Sequence, residues 1–154
     1  MPRITCRTPS TGRATRISLV DVSATYTTIS EAPDFSLPDT SNKFVFRDPL
    51  DSTRSIRPGE IFFLTPIAAK NKDSVTRWVE VQLLTEDNIT IGFGRVEVPS
   101  GDTAYIPIQG RSLFKRDPFS TFGDRVQIRA EVSGVFDIWT AAEEKLSNEH
   151  VGVE

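Results

Sequence analysis

The sequence predicts an all-β fold, an antiparallel β-sandwich of immunoglobulin-like or jelly-roll-like type with an extended N-terminal arm and long loops. Three observations carry this. The apolar residues are dominated by Val, Ile and Phe, which suit a pleated, half-buried surface. Several short runs alternate apolar and polar residues with a period of two. The runs recur at intervals close to ten residues, separated by Pro, Gly, Asn and Asp. With 154 residues the chain is long enough for one sizeable core and short for two.

Residues 1–16 (MPRITCRTPSTGRATR) have almost no apolar periodicity and cannot bury enough surface to order themselves, so they are expected to form a basic arm. In ISLVDVSATYTTI, Leu19, Asp21, Ser23 and Thr25 alternate with Val20, Val22, Ala24 and Tyr26, a first strand or pair of strands. Residues 30–56 hold Pro33 and Pro38 among Asp34, Asp39, Ser41 and Asn42, and read as an inserted excursion. Within it KFVFR is a short strand candidate. DPLDSTRSIRPGE reads as loop, ending in a turn at Pro58-Gly59.

The clearest core begins at Glu60, where EIFFLTPIAAKN is nearly all apolar, hence a strand buried on both faces or bent at Pro66. The best alternation follows: Val75, Arg77, Val79, Val81 and Leu83 on one face, Thr76, Trp78, Glu80, Gln82 and Leu84 on the other. Glu86-Asp87-Asn88 predicts a hairpin turn into a strand containing Ile89, Ile91 and Phe93. Pro99-Ser100-Gly101-Asp102 predicts a second tight turn, and Ala104, Ile106 and Ile108 a short strand that Pro107 makes an edge or a bulge. RSLFKRDPFSTFGD is a second irregular loop. RVQIRAEV and VFDIW, with Gly134 between them, are the last strands. TAAEEKLSNEH alone has helix-forming composition, and it is too short to be stable without packing. The sandwich is thus expected over residues 17–142, with an acidic tail over 143–154.

Composition narrows the function. The single cysteine, Cys6, permits neither an internal disulfide nor a thiolate metal cage. No stretch approaches the length of a membrane span, and the N-terminal residues lack the apolar core of a signal peptide, so neither anchoring nor secretion by that route is expected. Net charge is −3, which argues against phosphate neutralisation across a whole face and hence against direct nucleic-acid binding. The charge is uneven, however: Arg3, Arg7, Arg13 and Arg16 precede the first acidic residue, while Glu143, Glu144, Glu149 and Glu154 crowd the other end.

Four segments carry a family resemblance: PGEIFFLTPIAAKN, VTRWVEVQLL, the turn VPSGDTAYIPI and the closing hairpin GDRVQIRAEVSGVFDIW. Together, from Pro58 to about Ala142, they resemble a recurring immunoglobulin-like domain of tailed-bacteriophage virion proteins. SATYTTI resembles the strand that precedes the Pro-Gly turn in such domains, here separated from it by the excursion. The resemblance implies a non-enzymatic structural subunit of the capsid, neck or tail, assembled in the host cytoplasm. Its partners would be copies of itself and other virion proteins.

No catalytic constellation is expected. The only histidine, His150, lies in a terminal polar stretch, away from any Ser or Cys it might activate. Asp48 with Asp51, or Glu86 with Asp87, could form an acid/base pair or a Ca²⁺ site, but turn positions favour carboxylates that bind nearby backbone N–H groups. Gly92-Phe93-Gly94 lacks the third glycine and the helix of a phosphate cradle, and Asn88-Ile89-Thr90 matches a glycosylation sequon only in form. No cofactor and no metal are expected. Partner-binding residues are placed in the arm and loops: Arg3, Arg7, Arg13, Arg16, Phe35, Phe114, Phe119 and Phe122. The alternative is a carbohydrate-binding, host-attachment module using exposed aromatics, with Trp78, Trp139, Phe62, Phe63, Phe93 and Phe136 as candidates for a surface glycan and core packing expected for most of them.

Overall fold

The computed structural model describes residues 13–32, 34–35, 46–48, 51–117 and 121–146, and no described residue lies in a helix. The strands, in chain order, are β1 (Arg13–Leu19), β2 (Thr27–Glu31), β3 (Asp34–Phe35), β4 (Phe46–Asp48), β5 (Asp51–Phe63), β6 (Ile67–Asn71), β7 (Arg77–Leu84), β8 (Thr90–Val98), β9 (Thr103–Ile106), β10 (Ser112–Phe114), β11 (Arg125–Ala130) and β12 (Phe136–Leu146). All pairings are antiparallel and fall into two sheets, consistent with the expected sandwich.

The small sheet runs β2-β11-β7-β8. In the large sheet β12 is central. One of its edges pairs with β1; the other pairs with β6 over residues 136–139 and with β5 over 142–146. β5 and β6 are therefore one apolar run broken at Leu64-Thr65-Pro66, where the proline lacks the N–H that would continue the ladder. β9 extends the sheet beyond β6, and β10, β3 and β4 extend it beyond β5.

Period-two burial builds the core. Val79, Val81 and Leu83 of β7 and Val126, Ile128 and Ala130 of β11 face Ile67 and Ala69 of β6 and Phe136, Ile138 and Ala142 of β12. Phe63 and Phe136 are the largest side chains without solvent exposure. Fully burying a side chain of this size stabilises the fold by roughly 1.5–3 kcal/mol.

Asn71, at the end of β6, ties the two sheets together without any exposure of its own. Its Nδ2 donates to the carbonyls of Val75 (2.9 Å) and Val98 (2.8 Å), and its Oδ1 accepts the Asp73 N–H (2.8 Å). Its backbone N–H donates to Asp102 and its carbonyl accepts from Gly101, which holds the turn between β8 and β9 against the same corner. Gly101 sits there at φ 76°, a conformation that favours glycine.

Several expectations are corrected. The last four residues of the expected arm are not free but form the start of β1, in register with Ala141 to Glu144 of β12. Asp21, at φ 57°, breaks the expected alternation over residues 19–26, its N–H donating to Asp137 Oδ1 (3.0 Å). The excursion contains β3, β4 and the first part of β5, which passes through Pro58 without turning; pairing with β3 and β4 supplies a ladder that its polar composition does not announce. The described part of the helix-prone C-terminal segment, residues 140–146, is the end of β12, so residues 143–146 of the expected acidic tail are strand. A central position between β1 and β5, with Thr140 and Ala142 buried on alternate residues, outweighs helix propensities of a few tenths of a kcal/mol. Finally, β11 and β12 are not a hairpin. They belong to different sheets, and Gly134 at φ 87° turns the chain from one to the other.

Candidate binding faces and edges

Alternation that buries one face of each strand displays the other, so the outer faces of both sheets carry the available chemistry. On the small sheet that face is a ladder of mutually engaged groups. Arg95 stacks 3.8 Å from the centroid of the Trp78 ring, and Arg129 lies 4.7 Å from the Tyr26 ring and 5.7 Å from that of Trp78. Glu80 binds Arg129 at 2.6 and 2.7 Å and Arg95 at 3.5 Å. Burial would raise the Glu80 pKa, but the hydrogen bonds and charges of the two arginines outweigh it and the carboxyl sits below its ordinary value. One row along, Gln82 donates to Gln127 (2.8 Å) and Gln127 to Thr28 (3.3 Å).

Of the carboxylates that sequence offered as acid/base pairs, Asp48 and Asp51 are paired in register on β4 and β5, Asp87 lies 3.9 Å from Arg116, and Glu86 is structural. Glu86 accepts the backbone N–H groups of Arg116 and Asp117, and Asp124 accepts those of Glu86 and Phe114, so together they brace the loop after β10. At the opposite corner Lys72 joins Asp21 and Asp137, and Arg77 joins Asp73 (2.7 Å) and Glu131 (3.3 Å). The Arg77 hydrogen bond lowers the Asp73 pKa. Burial would raise that of Asp137, but the Lys72 hydrogen bond prevails and lowers it. Among the described residues no three His, Cys, Asp or Glu side chains are grouped to hold a metal ion.

The large sheet presents a different face. The register sets Ser18, Trp139, Ala68 and Tyr105 side by side across β1, β12, β6 and β9. Trp139 is 41% and Tyr105 66% exposed, while Ala68 between them is 2% exposed although its side chain points away from the core. A shallow depression beside Trp139 is lined by Arg16, Ser18, Val20, Asp137 and Ile138.

The predicted partner-binding residues separate. Arg13 and Arg16 lie on β1, Arg16 exposed in the depression beside Trp139. Phe35 lies on β3, in register with Arg57 of β5. Phe114 is half-buried with the Arg116 guanidinium 5.5 Å from its ring centroid, and Phe122 is 47% exposed with Arg125 at 4.4 Å. Arg3, Arg7 and Phe119, like Cys6 and His150, lie outside the described residues. Of the aromatics weighed for a glycan, Phe63 and Phe136 are core, Phe62, Phe93 and Trp78 are half-buried, and Trp139 is displayed. Tyr105 was missed. Its signal was present, because alternation with Ala104 and Ile106 turns position 105 outward.

The strand edges differ as well. β8 carries a bulge in which Phe93 and Gly94 oppose Val81, with Gly94 at φ 87°, and β2 carries one at Ile29. The edge formed by β9 and β10 is interrupted at residues 107–111, and β3 and β4 are two and three residues long. β1, by contrast, pairs with β12 over seven consecutive residues without a register shift, and among the described residues no strand pairs with its other edge. Compared with protein-family models, with curated proteins and with solved structures, the chain shows no match.

Proposed function

We propose that this chain is a non-enzymatic structural subunit that assembles with neighbouring subunits through strand β1, and that its setting is the one its sequence resembles, a tailed-phage virion. The observation that carries the reading is the contrast among edges. Among the described residues, bulges, interruptions or shortness blunt the others, as is usual where edge-to-edge pairing must be prevented, whereas β1 offers a regular row of backbone donors and acceptors. A neighbour's strand added there would continue the large sheet, the backbone ladder supplying affinity and repetition over many copies supplying avidity. Arg16, exposed on β1, would favour an acidic neighbour.

Proline scanning of β1 tests this, because adjacent residues of a strand direct their N–H groups to opposite sides. Of Thr15→Pro and Arg16→Pro, one removes a bond to β12 and lowers the melting temperature, and the other removes an open-edge donor. Sedimentation velocity is expected to show the intact chain self-associating and the second variant folded but monomeric. A monomeric intact chain that also fails to enter particles would overturn the proposal.

A further inference from the structure

The outer face of the large sheet combines two displayed aromatic rings with a floor and a polar rim, and we propose that it binds an extended β-1,4-linked hexopyranose chain. The inference is independent of pairing through β1, because the rings belong to β12 and β9.

Trp139 and Tyr105 occupy the same row on either side of Ala68, so their Cα atoms are two strand spacings apart, about 10 Å. That is about the length of two linked pyranose rings. Ala68 is small, faces outward and is nevertheless 2% exposed, so neighbouring side chains cover it and it raises no side chain of its own between the two rings. Position 68 must be small for this: a longer side chain between the rings would stand above the platform and block it.

The rim supplies what a sugar's hydroxyl groups require. Arg16 and Ser18 lie on the β1 side of Trp139, and Lys70 and Thr103 occupy the next row on β6 and β9. Asp137, opposite Lys70, accepts from Lys72 at 2.9 Å and from the Asp21 N–H, so its carboxylate is held in place. Donors and acceptors of both kinds around flat aromatic surface match a ligand with apolar C–H faces and an equatorial belt of hydroxyls. A β-1,4-linked glucose chain has this form: every ring face is C–H-rich, and the chain is straight enough to cross a sheet. A protein partner fits less well, because the apolar surface is limited to the two rings and Val20 among charged and hydroxyl side chains.

The test is titration of the intact chain with cellohexaose, followed by calorimetry and by intrinsic fluorescence. The chain has two tryptophans, Trp78 on the small sheet and Trp139 on the proposed platform, so the fluorescence response is assignable. Saturable binding is expected, with the response abolished in Trp139→Ala and retained in Trp78→Phe. By calorimetry Trp139→Ala and Tyr105→Ala should each weaken binding by about tenfold, the loss of one stacking contact. Both residues are displayed rather than buried, and unchanged melting temperatures would confirm that the variants fold. Absence of saturable binding by the intact chain, or binding that neither substitution weakens, would overturn the proposal.

Discussion

Replacing Asn71 by alanine removes a side chain that has no exposed surface and makes three hydrogen bonds, to the Val75 and Val98 carbonyls and from the Asp73 N–H. Each is worth about 1 kcal/mol net, and a buried partner left without one costs about 1–3 kcal/mol. The Val98 carbonyl bond is wholly buried, whereas the Val75 and Asp73 groups lie nearer solvent and can recruit water in part. The expected loss is therefore about 3 kcal/mol, a large fraction of the roughly 5–15 kcal/mol that holds a typical domain together. For a chain of this size it corresponds to a fall of roughly 6–12 °C in melting temperature. Urea unfolding followed by circular dichroism should show the midpoint lowered with the slope unchanged. Asn71→Asp is a stringent companion: it keeps an acceptor for Asp73 but turns a carboxylate toward two carbonyl oxygens, and it should be no more stable than the alanine variant. A loss below about 1 kcal/mol in both would refute the claim that this side chain holds the corner between the sheets.

Other consequences are equally direct. Phe136→Ala empties a fully buried site between the sheets and should cost about 3–5 kcal/mol in the same urea assay. Gly123→Ala would set a Cβ 2.5 Å from Lys115 Cγ and 2.9 Å from Ala32 Cβ, so a loss of about 1–3 kcal/mol is expected even though Gly123 has no unusual φ. The lowered carboxyl pKa values of Asp73, Glu80 and Asp137 contribute to the acid limb. A carboxyl whose folded pKa lies below its unfolded one stabilises the fold above the unfolded value and loses that contribution as pH falls through the folded one. Melting temperature should therefore fall below about pH 4. Glu80→Gln should flatten that fall, which pH-dependent melting curves of the two proteins would show.

The sandwich was legible because its signals are local and regular. Alternation in β7 and β11 identifies Val79, Val81, Leu83, Val126 and Ile128 as core, and the turns at residues 86–88 and 99–102 fall where their Asn, Asp and Gly residues place them. The same alternation could have found Tyr105. What misled were segments whose composition and partners disagree. Residues 51–58 are polar and contain a proline, yet they extend β5 because β3 and β4 lie beside them. Residues 140–146 favour a helix, yet they occupy the middle of a sheet. A strand's stability comes largely from neighbours remote in sequence, and composition does not record them.

Sequence by itself determined that this protein is all-β and which positions of its regular strands face inward. Only the tertiary structure decided which strands pair. Pairing made β1 an open edge instead of part of a free arm, set β11 and β12 in different sheets, and brought Trp139 and Tyr105, 34 residues apart in sequence, onto one row of a sheet. The physical reason is that the period of a strand is written in its own residues, whereas register and sheet order arise from contacts between strands. The displayed faces and the open edge inherit their arrangement from those contacts.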